Sequence, residues 1–384
     1  MSSSQSILGP ISELRKRSSS KWRRFAPDVL PMHVAEMDYD IADSIKKLLI
    51  EKINNSDLGY TGPVGEVADG FAKFAGERWG WQVDPKQVRL STDVGVSAVE
   101  ILRALGTAGD KVVINSPVYS SFFEWIPEVG LVIDDVPLIP NTDTWDLDLA
   151  GVEAAFKNGA KFYLICHPHN PIGKVFTEAE LIKIAELAKQ YGVVVVSDEI
   201  HAPLTFADSK FVPYLKVSDA ARETGVCITA ASKSFNLAGL KASVIVTDSA
   251  TMHDKLKKLP AALHWRSGLL GAFAMGEAFT NCGEWLDAAI AANHASLELL
   301  MKLMAEHLPN VKYWVPEAGY LAWIDVSSLN IGVNPAAKII EEQRVAFVPG
   351  RDLGKQYDQY VRINFACHPE SLERAIKALV AYAK

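Results

Sequence analysis

Residues 193–201 read VVVVSDEIH, four valines in succession followed by Ser197, Asp198 and Glu199. β-Branched side chains fit a pleated strand, and an unbroken apolar run suits one buried on both faces, as in a parallel sheet. In open α/β sheets the ligand crevice lies outside the carboxyl ends of the strands, so an acid arriving there is a site candidate. The competing reading of Asp198, a turn cap, loses ground because other strands deliver polar residues to the same edge.

Residues 111–115 (KVVIN) form a strand that feeds SPVYSSF and places Tyr119 just past its end. Residues 160–166 (AKFYLIC) form another, which runs into HPHNPIG and carries Asn170. Thr177 and Glu180 have capping-box spacing and open a helix that runs to Tyr191 and stops at Gly192. Strand, helix, strand in this order is a right-handed crossover, which brings Asn170 and Asp198 to one edge. Residues 226–231 (VCITAA) add a strand ending in SKSFNLAGLKAS, so Lys233 joins that edge, and residues 243–247 follow as one more.

Upstream, residues 43–53 carry Ile45, Leu48 and Leu49 at helical spacing, and the loop LGYTGPVGE presents Tyr60. A second helix is expected over 70–79 and a short strand over 88–90. Ser97 with Glu100 has the spacing of another capping box, which would put Gly95 and Val96 just before a helix N-terminus, where unpaired N–H groups favour a phosphate. No G-x-x-x-x-G-K-[ST] is present, so this is not a nucleotide P-loop.

From about residue 256 the pattern changes to long helices, then to a short β region with YLAWIDV, VAFVPG and YVRINFA, and ends on an amphipathic helix over 370–383. Arg362 alternates with Val361 and Ile363 there. The expected architecture is α/β: a large domain over 45–265 with a mostly parallel sheet, and a smaller α+β domain made of 1–44 and 266–384. At 384 residues the chain exceeds one typical core, which suits that division.

Lys plus Arg is 39 against 46 Asp plus Glu, a balance that argues against a nucleic-acid binder. The basic run Arg15, Lys16, Arg17, Lys21, Arg23 and Arg24 reads as a solvated or locally paired arm. Cys166, Cys227, Cys282 and Cys367 are widely spaced and suggest neither a zinc site nor a disulfide framework. With no apolar signal core and no stretch long enough to span a bilayer, the expectation is a cytoplasmic protein without membrane contact.

A lysine, an aspartate and an asparagine at one sheet edge, with a tyrosine and a phosphate-ready helix terminus, are the parts pyridoxal phosphate requires. It needs an amine for a Schiff base, a carboxylate to keep the pyridine nitrogen protonated, a donor for the phenolic oxygen, an aromatic face and an anion site. On SKWRRFAPDVLPMHVAEMDYD, GYTG, HNPIGKVFT, SDEIH, SKSFNLAGL, YLAWID, VPG and VRINFA, the chain resembles the fold-type I pyridoxal-phosphate enzymes of the class I/II aminotransferase superfamily. Within them it is most similar to the cystathionine β-lyase, or MalY/PatB-type carbon–sulfur lyase, subgroup.

The resemblance implies Lys233 as Schiff-base lysine and base, Asp198 on the pyridine nitrogen, Asn170 on the phenolic oxygen and Tyr119 against the ring. Gly95, Val96, Ser97, Ser232 and Lys241 would serve the phosphate, His201 would border the cofactor, and Tyr60 would reach the phosphate of a second subunit, which implies a homodimer with its sites at the interface. Arg362 would grip the α-carboxylate of an amino-acid substrate, with Tyr119 and Asn170 alongside. The implied reaction is α,β-elimination on a cysteine S-conjugate such as L-cystathionine, as in methionine biosynthesis; the alternative is an aminotransferase. The subgroup's A-D-M-D is here Ala35-Glu36-Met37-Asp38, and Gly319 replaces a threonine, changes that bear on substrate preference. Lys241 competes with Lys233 for the Schiff base but lacks its place directly after a strand. A metal cluster of Cys166, His167, His169, His201, Asp198 and Glu199 lacks ligand spacing, and a non-catalytic module would not need an intact Lys233 with all its partners.

Overall fold

The computed structural model describes residues 7–63 and 65–383. In chain order the elements used below are β1 (Leu30–Pro31), α1 (Asp43–Asn54), α2 (Gly65–Trp79), β2 (Val88–Ser91), α3 (Val94–Leu105), β3 (Lys111–Ile114), α4 (Phe122–Glu128), β4 (Val132–Asp135) and β5 (Phe162–Cys166). They continue with α5 (Glu178–Tyr191), β6 (Val194–Asp198), β7 (Gly225–Thr229), α6 (Ala231–Ser234), β8 (Ser243–Val246), α7 (Leu269–Asn281) and α8 (Gly283–His307). The last are β9 (Lys312–Tyr313), β10 (Leu321–Asp325), β11 (Val345–Ala346), β12 (Val348–Pro349), β13 (Tyr360–Asn364) and α9 (Pro369–Val380).

Seven strands form one sheet in the order β2-β8-β7-β6-β5-β3-β4. Pairings from β7 to β4 are all parallel, whereas β8 runs antiparallel to both neighbours. Every residue of β5, β6 and β7 is buried, as a parallel sheet covered by helices on both faces requires. The valine run thus does form a central strand, and Asp198 is its last residue.

Helix α5 has the expected start: Thr177 Oγ1 accepts from Glu180 N at 3.2 Å, and Glu180 Oε2 accepts from Thr177 N at 2.7 Å. It stops at Gly192, whose φ of 70° is the left-handed cap geometry. The capping box expected at Ser97 and Glu100 is not formed. The cap of α3 is Asp93, whose Oδ1 accepts from Val96 N at 2.8 Å, so the helix begins at Val94 and Gly95 and Val96 lie inside its first turn. A carboxylate also complements the helix's positive end, which Ser97 one turn further on does not. Helix α2 begins at Gly65 rather than at 70, and the serines of the first six residues lie outside the described ones.

The second sheet is antiparallel, β9-β10-β13-β12, and β1 pairs in parallel with β11. The N-terminal segment is therefore stitched to the C-terminal part. Helix α7 lies in the C-terminal part of the chain but does not join that sheet. It packs on α2 through Phe279, whose ring centroid lies 5.4 Å from Phe71 and 5.1 Å from Phe74. Among the described residues, no helix is long and apolar enough to cross a membrane.

The basic arm is locally paired on its outside and something else within. Lys16 meets Glu13 and Arg17 meets Asp40 on the surface, but Lys21 is only 1% exposed and its Nζ lies 2.6 Å from Asp38 Oδ1. Prediction for α5: Thr177→Ala removes one half of the capping box and lowers stability by about 1 kcal/mol in urea denaturation, with the m-value unchanged.

Candidate active site

A cavity of about 730 Å³ opens at the carboxyl edge of β5, β6 and β7. Asp198, Asn170, Lys233, Ser232, Tyr119, His201, Lys241, Gly95 and Val96 all line it. Tyr60 does not; it stands 91% exposed on its loop. Ser97 is fully buried, with its hydroxyl 2.9 Å from Asp93 O and 3.2 Å from Ser243 Oγ, so it braces α3 against β8 instead of facing the cavity. Arg362 sits behind Asn170 rather than on the wall.

Asp198 is buried and accepts one hydrogen bond, from Ile200 N to Oδ1 at 3.2 Å. Burial pushes its carboxyl up to about 7, against the Ile200 N–H and the charge of Lys233, which pull it down. Among the described residues no cation comes within 4 Å of it, so the carboxylate is left facing the cavity without a partner of opposite charge.

Lys233 stands on α6, directly after β7. Its Nζ donates to Ala35 O at 3.0 Å. Desolvation, then the positive charge of Arg362, lowers the amine to about 8, while Glu36 and Asp198 act the other way. A lysine near neutrality exchanges protons readily, which is the property of a catalytic base.

Arg362, on β13 and 6% exposed, donates from Nη1 to Asn170 Oδ1 at 3.1 Å and from Nη2 to His33 O at 2.9 Å. Its Nε has no partner, and among the described residues no carboxylate pairs with it. Burial lowers it to about 10. A guanidinium kept from water with neutral partners only is a fork awaiting an anion. His201 is buried between two cations and is pushed down to about 3 by burial, Lys233 and Arg362, so it is neutral at neutral pH. Gly319, beside it, adopts φ of 84°, a conformation that the alternative threonine would hold only under strain.

The anion end of the cavity is built on α3. A Cβ on Gly95 would lie 2.6 Å from the Trp125 ring, so only glycine lets α4 pack this closely on the helix start. Val94, Gly95 and Val96 line the wall, so the positive end of α3 faces the cavity. Lys241, in the left-handed region, stands 3.0 Å from Asp93 Oδ2, and Ser232 and Arg266 complete the lining. Tyr119 lies between the two ends, half-buried and edge-on to Phe122 and Trp125 at 6.2 and 5.6 Å.

Sequence reasoning missed Asp93, Trp125, Arg266 and the Ala35 carbonyl. Asp93 had a readable signal, an aspartate three residues before Val96 at a strand end; the others had none, because a carbonyl and a residue brought in from a distant helix leave no local pattern.

A fold of this kind, with a lysine, an acid and an anion-binding helix start at one sheet edge, defines a class of cofactor-dependent enzyme. Residues 27–379 match the family model for aminotransferase class I and II, and the chain belongs to that family. A Mycobacterium leprae protein provisionally named cystathionine β-lyase is 36% identical over 399 residues, 97% of each chain. Cystathionine β-lyase PatB of Bacillus subtilis is 31% identical over 363 residues, 92% of each. Among solved structures, cystalysin from Treponema denticola, described as containing pyridoxal 5'-phosphate, superposes with a TM-score of 0.89 at 27% identity over 95% of this chain and 96% of that one.

The Asp198 geometry predicts a pH effect in the cofactor-free protein. A carboxyl raised in the folded state holds its proton where the unfolded chain has lost it, so its contribution to stability is present at low pH and falls away as pH rises from about 4 to about 7. Asp198→Asn removes that penalty. The variant is expected to be more stable than wild type by roughly 2–4 kcal/mol above pH 7, with the difference vanishing near pH 4, in chemical denaturation at each pH.

Proposed function

We propose that this chain is a pyridoxal-phosphate-dependent carbon–sulfur β-lyase that converts a cysteine S-conjugate such as L-cystathionine, with one water, to a thiol, here homocysteine, with pyruvate and ammonia. The observation that carries the reading is the buried, anion-free Arg362 standing behind Asn170 at the wall of the cavity that a near-neutral Lys233 and an uncompensated Asp198 line. The names of the relatives support a lyase over other chemistries of the family.

The residues fit the cofactor. Asp198 lacks a cation and would accept the protonated ring nitrogen, whose charge would bring the carboxyl down from about 7. Asn170 would meet the phenolic oxygen, Tyr119 the ring face, and the start of α3 with Ser232 and Lys241 the phosphate; Lys233 would hold the aldehyde carbon through its amine. When bound, the cofactor supplies the electron sink that makes the substrate Cα–H acidic.

The chain's own groups do the rest. Arg362 and Asn170 hold the α-carboxylate, which fixes the direction of the Cα–H bond. Lys233 Nζ, which the substrate's own amine would displace from the aldehyde carbon, would then take the Cα proton, and because its amine lies near 8 it is returned to the free base without strong acid or base. The β-sulfur then departs as a thiolate. Neutral His201 borders the cavity without adding a charge that would compete with Arg362 for the carboxylate.

The finer reading is a cytoplasmic homodimer serving methionine biosynthesis. Four buried cysteines, none in a disulfide, suit a reducing compartment. Tyr60, exposed on a loop with exposed Leu58, suits a contact with a second subunit's phosphate.

Purified protein with pyridoxal phosphate and no keto-acid acceptor is expected to release pyruvate and homocysteine in equal amounts from L-cystathionine. Conversion of an added keto acid to an amino acid with no pyruvate release would instead make it an aminotransferase. Lys233→Ala is expected to abolish turnover. Arg362→Lys, which keeps the charge but loses the fork, is expected to raise KM by on the order of 10–100-fold.

A further inference from the structure

We propose that the buried Lys21–Asp38 ion pair is a positioning device for Lys233, acting through the backbone of residues 33–38. The proposal rests on the reading of Lys233 as the base. Neither Lys21 nor Asp38 lines the cavity, so the action is indirect.

The pair is isolated and dry. Lys21 and Asp38 are 1% and 2% exposed, and Lys21 Nζ has a second acceptor in Glu36 O at 2.9 Å. The cations around it on the arm, Lys16, Arg15 and Arg23, remain exposed. Burying two charges costs several kcal/mol in desolvation, which their attraction offsets only in part, so such a pair is a weak source of stability and a strong source of register.

The register it sets is that of the segment between the pair and the site. Arg362 Nη2 bonds His33 O at 2.9 Å. Asn364 Nδ2 bonds both Val34 O and Glu36 O at 2.7 Å. Lys233 Nζ and Tyr320 OH bond Ala35 O at 3.0 and 3.1 Å. The carbonyls of residues 33–36 are thus laid across the amine that takes the proton and the fork that holds the carboxylate.

Glu36 follows directly after the carbonyl that Lys233 touches, and the arm grips it twice. Ser19 Oγ donates to its carboxylate at 2.7 Å and Lys21 Nζ to its carbonyl at 2.9 Å. A small rotation of this peptide would turn the Ala35 carbonyl away from Lys233 and alter how far Glu36 lies from the amine. The groups that act on Lys233 from all sides are Arg362, Glu36, Asp198 and Lys241, and it acts in turn on His201; only Glu36 belongs to the segment the arm holds.

The test separates position from stability by replacing the pair with apolar residues, Lys21→Met with Asp38→Leu, in the protein loaded with pyridoxal phosphate. Thermal denaturation, the pH midpoint of the bound cofactor's visible absorbance, kcat and KM are measured together. A melting temperature within about 5 °C of wild type is expected, as is common when a buried pair is exchanged for packed side chains. The absorbance midpoint is expected to shift by about half a unit or more, and kcat to fall about tenfold with KM within about threefold.

A folded, loaded variant with wild-type midpoint and kcat overturns the positioning role. If the double variant does not fold, Ser19→Ala, which removes a single bond to Glu36, is expected to shift the midpoint in the same direction by a smaller amount, and no shift overturns the proposal. Wild-type protein that binds no pyridoxal phosphate, or binds it and turns over no amino acid, overturns the functional reading itself. An active wild type with unaltered variants removes only the role of the pair.

Discussion

Three ionisable side chains, Asp198 and Lys233 on the wall of one cavity and Arg362 just behind it, are held away from water without a single salt bridge among them. Each is displaced by desolvation from its ordinary value, the acid upward and both bases downward. That arrangement is costly, and the surrounding structure exists to maintain it: buried valine strands fix the height of Asp198, β13 fixes Arg362, and the segment 33–38 closes over the top with backbone carbonyls. Neutral acceptors take one hydrogen bond from Lys233 and two from Arg362 without neutralising their charge. In the function proposed above, this uncompensated state is what would draw an anionic, ring-nitrogen-bearing cofactor and a carboxylate substrate into the site.

Much of this was legible in the chain before any coordinates. VVVVSDEIH, AKFYLIC and VCITAA read as strands because their apolar runs are uninterrupted, and the residues at or just past the strand ends, Asp198, Asn170 and Lys233, do share one cavity. The differences have two origins: a nearer cap at α3, and elsewhere partners that are distant in sequence. Asp93 displaced Ser97 as the cap of α3 because the helix begins at Val94, directly after the turn that follows β2 and one turn ahead of the serine. The antiparallel direction of β8 has no signature in a four-residue apolar strand.

The arm is the clearest case of a signal that points the wrong way. Six cations within ten residues imply solvent, and for most of them that holds. Lys21 is buried because Asp38, seventeen positions on, is carried to it by a turn that neither local pattern predicts. Composition reports the average fate of a charged run and conceals the member that departs from it.

The pairing of β1 with β11, and the bonds from Arg344 to Asp28 and from Arg374 to Asp28 O, bring the beginning of the chain to its end. On the ribosome Asp28 and β1 are made more than 300 residues ahead of β11. The opening segment must wait, unpaired, while the whole large sheet is synthesised, and the cavity gains its roof only when the closing strands emerge. Closing so long a loop makes this a slow, late event in folding. A chain interrupted before β11 would hold a finished sheet edge bearing Lys233 and Asp198 with no Arg362 and no β11 partner for β1, so the site is complete only once β13 has been made.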